Sequence, residues 1–387
     1  MTIAGVEPRA VVTPRDQAEL GAVVRELFAA GKSFAFVGGG TELELGNVPT
    51  SLDTVVNTSG CNRIIDYAPE DQTITVEAGM TVAAVSEILA AHDQFIAIDA
   101  PDAQRSTIGG AIATNAYGRR RLRFGSIKDN IVGIGIVRGD GIAARGGGKV
   151  VKNVAGFDIP KLMVGALGSL GAIASATFRV HPIDKRSRAV AVRHLTVAGV
   201  MRVCSEVIGE ALVPSSIVAY DNGERYDCVV TFDGFHRGVD EQVRALTAIA
   251  QRLRFAADVL SADDLTPLEE RERGARCDAR WRVRLGAAPT ALAEFLSSGE
   301  MAGVRRVYYP ALGAAFVTGD DLDAATIARW RSALDGGLVV VAAMPPAARG
   351  AVETWGTPPP SFPFMRRMKA NFDPKNLCNP GRFVGGI

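Results

Sequence analysis

Apolar positions in the first 180 residues follow two periods in turn. Leu20, Val23, Val24, Leu27 and Phe28 recur at the spacing of a half-buried helix. Thr13, Pro14 and Asp16 suit its start and Gly31 its stop. The run 34–37 then reads as a buried strand leading straight into Gly38-Gly39-Gly40-Thr41. Short strand-like runs follow near 54–57, 64–67 and 73–77. Val82, Val85, Ile88 and Leu89 share one face of a helix over 81–91, and 94–98 predicts a strand ending at Asp99-Ala100-Pro101. From Ile131 the order is strand, a turn at Gly139-Asp140-Gly141, and strand again. A short helix over 158–167 and a strand over 172–180 close the unit at His181-Pro182.

The pattern then changes. Over 185–340, strand-like runs (189–192, 217–220, 228–232, 304–309, 314–318) alternate with helical ones (200–210, 239–253, 291–297, 323–334). That predicts an α+β unit with an antiparallel sheet. The last segment is Pro-rich at 357–360 and basic at 365–369, where a helix ends. It finishes with Asn371-Phe372-Asp373-Pro374 and Asn379-Pro380-Gly381-Arg382.

The glycines suggest the chemistry. Glycine lacks Cβ, so successive amides at Gly38–Gly40 can point into one concavity, which suits a diphosphate. An ordinary tight turn is the alternative reading. A second loop, Pro101 to Tyr117, offers Ser106 and Thr107 before Gly109-Gly110, with small walls at Ala111, Ala113 and Ala116. A helix starting there would add its dipole to a phosphate site. Gly118, Gly125, Ser126 and Asp129 come next, then a glycine stretch at 146–158 and Gly168-Ser169-Leu170-Gly171. No Gly-x-Gly-x-x-Gly with an acid about twenty residues on is present, which argues against a nicotinamide site.

Bulk properties exclude several classes. With 387 residues, 47% apolar and 22% charged, the chain can bury two or three domain cores. Its net charge of +1 gives no footprint for nucleic acid. The five cysteines form no Cys-x-x-Cys pair and the four histidines no cluster, so no metal or iron–sulfur site is expected. No apolar run approaches the ~18 residues of a membrane span. No leader pattern is read at the start, so a cytoplasmic location is expected, peripheral to the inner membrane through partners.

The runs VGGGTEL, STIGGAIATNAYG, RFGSIKDNIVGIGIVRGDG, GGGKVVKNVAGFD, GALGSLGAIASATFRVHP and NFDPKNLCNPGRFVGGI together resemble the vanillyl-alcohol-oxidase (PCMH) type of FAD-linked oxidase. More closely they resemble the FAD-binding subunit of bacterial glycolate oxidase, densely over 35–182 and 340–387 and thinly between. The resemblance implies an α+β chain in three parts. Residues 1–183 would be a two-lobed FAD-binding domain, 184–340 an α+β cap, and 341–387 a segment returning to the FAD domain. It places the diphosphate at Gly38, Gly39, Gly40, Thr41, Ser106, Thr107, Gly109 and Gly110. It places the rest of the cofactor along Pro101, Ala113, Asn115, Gly118, Gly125, Asp129 and Ile173. Neither of the first two loops has the His or Cys that some relatives use for covalent attachment, so dissociable FAD is expected.

The implied reaction oxidises a small 2-hydroxy acid, with a hydride passing to flavin N5 and electrons passing on to a partner. Arginine suits the substrate carboxylate, and the Trp281-Arg282 pair matches the resemblance. The bland alternative for Arg280, Arg282 and Arg284 is a solvated edge strand. No histidine stands out as a base, and His181 reads as a surface or hinge residue. The resemblance implies two partners, a second flavoprotein and an iron–sulfur subunit. The run Arg119-Arg120-Arg121-Leu122-Arg123 is a candidate docking patch for them, with a solvated loop or arginines near the flavin phosphates as the alternatives. A free-standing oxidase and a non-catalytic scaffold are the competing readings.

Overall fold

Ala10–Val12 (β1), Phe34–Val37 (β2) and Thr54–Asn57 (β3) form a parallel sheet in the order β1-β3-β2. Phe34, Ala35, Val55 and Val56 are all buried, so these strands read as continuous apolar runs rather than alternating ones. The helix Gln17–Ala29 packs Leu20, Val24 and Leu27 into the same core. Its N-cap is Asp16, which accepts the Glu19 amide at 2.9 Å. The computed structural model describes residues 2–148, 158–223 and 225–387.

A second sheet is antiparallel. It comprises Ile64–Ala68 (β4), Thr73–Glu77 (β5), Ile131–Arg138 (β7), Ala143–Gly147 (β8) and Gly171–Arg179 (β9), with Gln94–Phe95 (β6) set apart. Its order is β4-β5-β9-β7-β8, and β6 pairs with His181–Pro182 (β10). The strand expected over 94–98 is thus shorter than its apolar run. Ile96 and Ile98 are buried in the core without joining a sheet. The helix Val82–Ala90, capped by Thr81, closes one side of that core.

Residues 1–118, 125–183 and 353–387 make one compact unit, and 119–124 with 184–352 make another. The second is an eight-stranded antiparallel sheet. Its strands are Arg186–Leu195 (β11), Ser216–Asp221 (β12), Tyr226–Gly234 (β13), Ala257–Leu260 (β14), Trp281–Gly286 (β15), Arg305–Tyr309 (β16), Ala314–Gly319 (β17) and Leu338–Ala343 (β18). The order is β14-β11-β13-β12-β16-β17-β15-β18. Helices Val197–Gly209, His236–Arg252, Pro289–Ser297 and Ala324–Ala333 share one core with it.

Two segments fall in other units than the sequence suggests. Residues 341–352 stay with the second unit, because β18 contributes Val339 and Val341 to its core, and the chain re-enters the first unit at Glu353. The arginine run belongs to the second unit as well. Arg119 pairs with Glu269 at 2.7 Å, Arg123 with Asp184 at 2.8 Å, and Leu122 packs on the core. Two of these arginines are thus engaged within their own unit rather than offered as a free patch.

Within the first unit, the returning segment extends the parallel sheet at β2. Phe34 donates its amide to Leu377 at 2.8 Å, and Asn379 donates to Phe34 at 2.7 Å. Cys378 pairs with Phe34 as a parallel bridge. The segment is therefore built into the strand that feeds the first glycine loop.

Candidate cofactor cleft

The first unit holds a cleft with about 900 Å³ of empty space, part of it continuous with solvent. Gly38, Gly39, Gly40, Thr41, Pro101, Ser106, Thr107, Gly109, Gly110, Ala113 and Ile173 line it. These residues come from three separated stretches of the chain. The cleft lies where β2 ends, outside the carboxyl end of a parallel strand, a common place for ligands.

The first loop supplies donors. Among the described residues, the amides of Gly38, Gly39, Gly40 and Thr41 donate to no protein acceptor. Four consecutive unpaired amides at a cleft are an anion site in waiting, because backbone N–H groups are otherwise nearly always satisfied. The loop also needs its glycines for space. A Cβ on Gly38 would lie 2.0 Å from Thr107 Oγ1, and one on Gly39 would lie 1.6 Å from the Arg105 carbonyl oxygen. Gly40 has φ +69°, in the left-handed region. Thr41 Oγ1 and Ser106 Oγ are 3.1 Å apart, which links the two loops directly.

The second loop plays a different part from the one expected. Ile108 donates to the Met80 carbonyl at 2.8 Å and Gly109 to the Ala78 carbonyl at 2.7 Å. Gly110 donates to Thr107 Oγ1 at 3.2 Å. The first three amides of the helix Ile108–Ala113 are thus used inside the protein and do not face a ligand. Its glycines instead allow close approach, since a Cβ on Gly109 would lie 2.9 Å from that of Ala78.

Asn115, Gly118, Gly125 and Asp129 do not line this cleft. Asp129 Oδ2 accepts from the Ser126 amide at 2.8 Å and hydroxyl at 2.6 Å, forming a capping box at the helix Ile127–Asn130. Gly125, with φ +74°, packs against that carboxylate. The Ser126-Ile127-Lys128-Asp129 spacing carries that capping signal in the sequence. Asn115 is half-buried with φ +48°, and Gly118 is buried. His181 Nε2 sits 2.9 Å from Asn130 Oδ1 in the first unit. Most of the third glycine stretch, Lys149 to Phe157, lies outside the described residues.

Among the cleft residues that the sequence did not assign to the site are Asn379 and Arg382. Arg382 is buried, and its Nη2 donates to the carbonyls of Leu43, at 3.1 Å, and Leu45. It therefore pins the chain just beyond Thr41. Asn379 Nδ2 donates to the Leu167 carbonyl at 2.5 Å. The Asn-Pro-Gly-Arg run was a visible signal, but only the return of this segment to β2 shows where it acts.

In the second unit, Arg282 lies within β15, an internal strand between β17 and β18. The solvated edge-strand alternative is therefore overturned, and Arg280 lies before the strand. Arg282 is 6% exposed, and its Nη1 donates to the Arg276 carbonyl. Beside it is a buried polar layer. Glu272 accepts from Tyr309 at 2.6 Å and from Tyr220 at 3.5 Å, and Arg276 Nη1 lies 4.0 Å away. Burial raises the pKa of both tyrosine hydroxyls, so they stay protonated donors.

The cleft fits FAD on three counts. Its loop amides can donate to a diphosphate, its walls are small enough to admit a long ligand, and Asn379 Oδ1 is a buried acceptor without a partner among the described residues. The lining contains no histidine or cysteine. Among the described residues, no group of His, Cys, Asp and Glu is placed to hold a metal, and no helix is long and apolar enough to cross a membrane.

Residues 8–147 match the family described as FAD binding domain, and 357–383 match the C-terminal domain of FAD linked oxidases. A glycolate oxidase subunit GlcD of Bacillus subtilis is 28% identical over 55% of this chain and 46% of its own length. The chain thus spans about half of that relative. A D-lactate dehydrogenase of Archaeoglobus fulgidus is 27% identical over 98% of this chain and 93% of its own. The solved structure of an alkyldihydroxyacetonephosphate synthase superposes with a TM-score of 0.71 over 97% of this chain and 77% of that one, at 17% identity, which shows a shared fold. The paired domain matches and a cleft suited to the cofactor agree: this chain carries an FAD binding domain and the C-terminal domain of FAD linked oxidases.

Proposed function

We propose that the chain is the FAD-binding subunit of a complex that oxidises a small 2-hydroxy acid, glycolate or a D-2-hydroxy acid. The observation that carries the reading is the set of unpaired amides at Gly38–Thr41, latched to the second loop through Ser106. When bound, FAD supplies hydride acceptance at N5 and onward electron transfer. The amides of the first loop hold the diphosphate. Thr107, Gly109 and Gly110 bring the second loop close, and Pro101, Ala113 and Ile173 form walls around the rest of the cofactor. Asn115, Gly118, Gly125 and Asp129 shape the loops behind. With no His or Cys in the lining, the FAD is held without a covalent bond.

The substrate class rests on relatives named for glycolate and D-lactate, both 2-hydroxy acids. Membership of a complex rests on the word subunit in the first name, with a second flavoprotein and an iron–sulfur protein as the partners expected. Arg282 was the sequence's choice for the substrate carboxylate. Its burial and its bond to Arg276 favour a supporting role in the second unit.

The near end-to-end match to a D-lactate dehydrogenase favours a second reading, a chain active alone. An absorption spectrum of the purified chain from the near-ultraviolet to the blue, before and after adding glycolate or D-lactate, separates the readings. A yellow protein that bleaches only with its partners present supports the subunit. Bleaching by the isolated chain supports the stand-alone enzyme. A chain that stays colourless after incubation with FAD defeats both and leaves a scaffold.

A further inference from the structure

We propose that Asn379 is a cofactor-positioning residue, its Oδ1 accepting a hydrogen bond from an N–H or O–H group of FAD. The inference rests on reading the cleft as the FAD site. Asn379 lines that cleft and is 5% exposed. Its orientation is not arbitrary. The Leu167 carbonyl can only accept, so the amide atom facing it is Nδ2, and Oδ1 takes the other side. That oxygen is buried and has no hydrogen-bond partner among the described residues. A buried amide oxygen left unpaired is costly, and such an atom at a ligand cleft calls for a donor.

Backbone conformation marks the same spot. Leu167 has φ +50°, Gly168 +69° and Asn379 +46°, and all three line the cleft. A bulky residue such as leucine in the left-handed region is strained, and strain of this kind gathers at ligand sites. The local packing holds it in place. Leu167 donates its amide to Ala113 at 2.9 Å, and a Cβ on Gly168 would lie 2.7 Å from Asn379 Nδ2. The segment that returns at β2 thereby contributes directly to the cofactor site as well as to the sheet. The donor on FAD is one of its ring N–H groups or its sugar or ribityl hydroxyls, since the diphosphate has none.

The test is an FAD titration of the flavin-free full chain, followed by quenching of flavin fluorescence, with melting of the free and FAD-loaded forms. Asn379→Leu removes both polar atoms while keeping the branched shape of the side chain. It is expected to weaken FAD binding about tenfold, the loss of one hydrogen bond that leaves its donor unpaired. The melting shift produced by FAD should shrink with it. Asn379→Ser, which shortens the side chain, serves the same purpose if the leucine variant does not fold. Binding within about twofold of the parent, with free and loaded forms melting lower by equal amounts, would show a structural role only and overturn the proposal. Absence of saturable FAD binding by the parent overturns the reading of the cleft, and this inference with it.

Discussion

Thr41 Oγ1 lies 3.1 Å from Ser106 Oγ, although 65 positions separate them in the chain. Ser106 is itself held, since its amide donates to Asp102 at 2.7 Å and its carbonyl accepts from Val82 at 2.9 Å. The first glycine loop is therefore referenced to the start of the helix Val82–Ala90. Cofactor affinity should depend on how closely the two loops approach.

Gly39 sits at their closest point. A methyl group there would lie 1.6 Å from the Arg105 carbonyl, which is backbone and cannot swing aside. Gly39→Ala should cost about 1–3 kcal/mol by overpacking and force the loops apart. FAD affinity is expected to fall by about ten- to a hundredfold. Gly40→Ala meets only Leu43 at 3.5 Å, and its φ of +69° imposes a smaller conformational cost of about 1 kcal/mol. The ranking can be read from FAD titrations of both variants. Parental affinity in Gly39→Ala would contradict the close packing of the loops.

Local glycine clusters made this cleft legible in the sequence, because a nest is specified by a few adjacent residues. What was hidden depends on distant contacts or on polar burial. Asn379 and Arg382 reach the cleft only because Cys378 joins the edge of β2. The helix Ala262–Cys277 was invisible to apolar periodicity, since the residues it buries are Leu268, Glu272 and Arg276. Its buried stripe is two-thirds charged, satisfied by Tyr309, Tyr220 and the face of Phe316 rather than by aliphatic neighbours. Asp129 carries a local signal instead. It stands beside glycines, but its carboxylate caps a local helix.

Lys369 ends the basic run in the helix Phe362–Phe372, where the sequence suggests cations near a helix C-terminus. It is 5% exposed, and its three ammonium donors reach the Ser169 carbonyl at 2.8 Å, Asp373 Oδ2 at 2.7 Å and the Cys378 carbonyl at 2.8 Å. Ser169 and Cys378 are next to Gly168 and Asn379 of the cleft. Lys369→Met would leave the Asp373 carboxylate buried without its counter-ion, at a cost of about 3–5 kcal/mol. A lower urea midpoint and weaker FAD retention should appear together. A variant as stable as the parent would show that this ion pair is dispensable.

Asp53 should make the first unit acid-sensitive. Its carboxylate accepts the Ser33 hydroxyl at 2.8 Å and amide at 2.9 Å, joining the starts of β2 and β3. The Ser33 hydroxyl bond, then the amide bond, lower its pKa below the ordinary 3.8. A group with a depressed folded pKa stabilises fully above its unfolded value and loses that stabilisation as pH falls through the folded one. The contribution is thus complete at neutral pH and fades progressively as pH falls below about 4. Asp53→Asn should lower the urea midpoint at pH 7 and have a shrinking effect as pH approaches 3. An equal effect at both pH values would remove the carboxylate charge from the explanation.

Arg282 decides between two roles that its sequence left open. As a carboxylate anchor it would need a guanidinium free to meet substrate. In the structure that group is buried and directed at the Arg276 carbonyl near the end of the helix Ala262–Cys277. Arg282→Ala removes a charged donor from a buried acceptor, worth about 1.5–3 kcal/mol. The variant should therefore show a lower unfolding midpoint, while KM for the hydroxy acid that bleaches the flavin stays within about twofold of the parent. The opposite split, an unchanged midpoint with KM raised more than about tenfold, is the signature of lost substrate binding and would return Arg282 to the carboxylate.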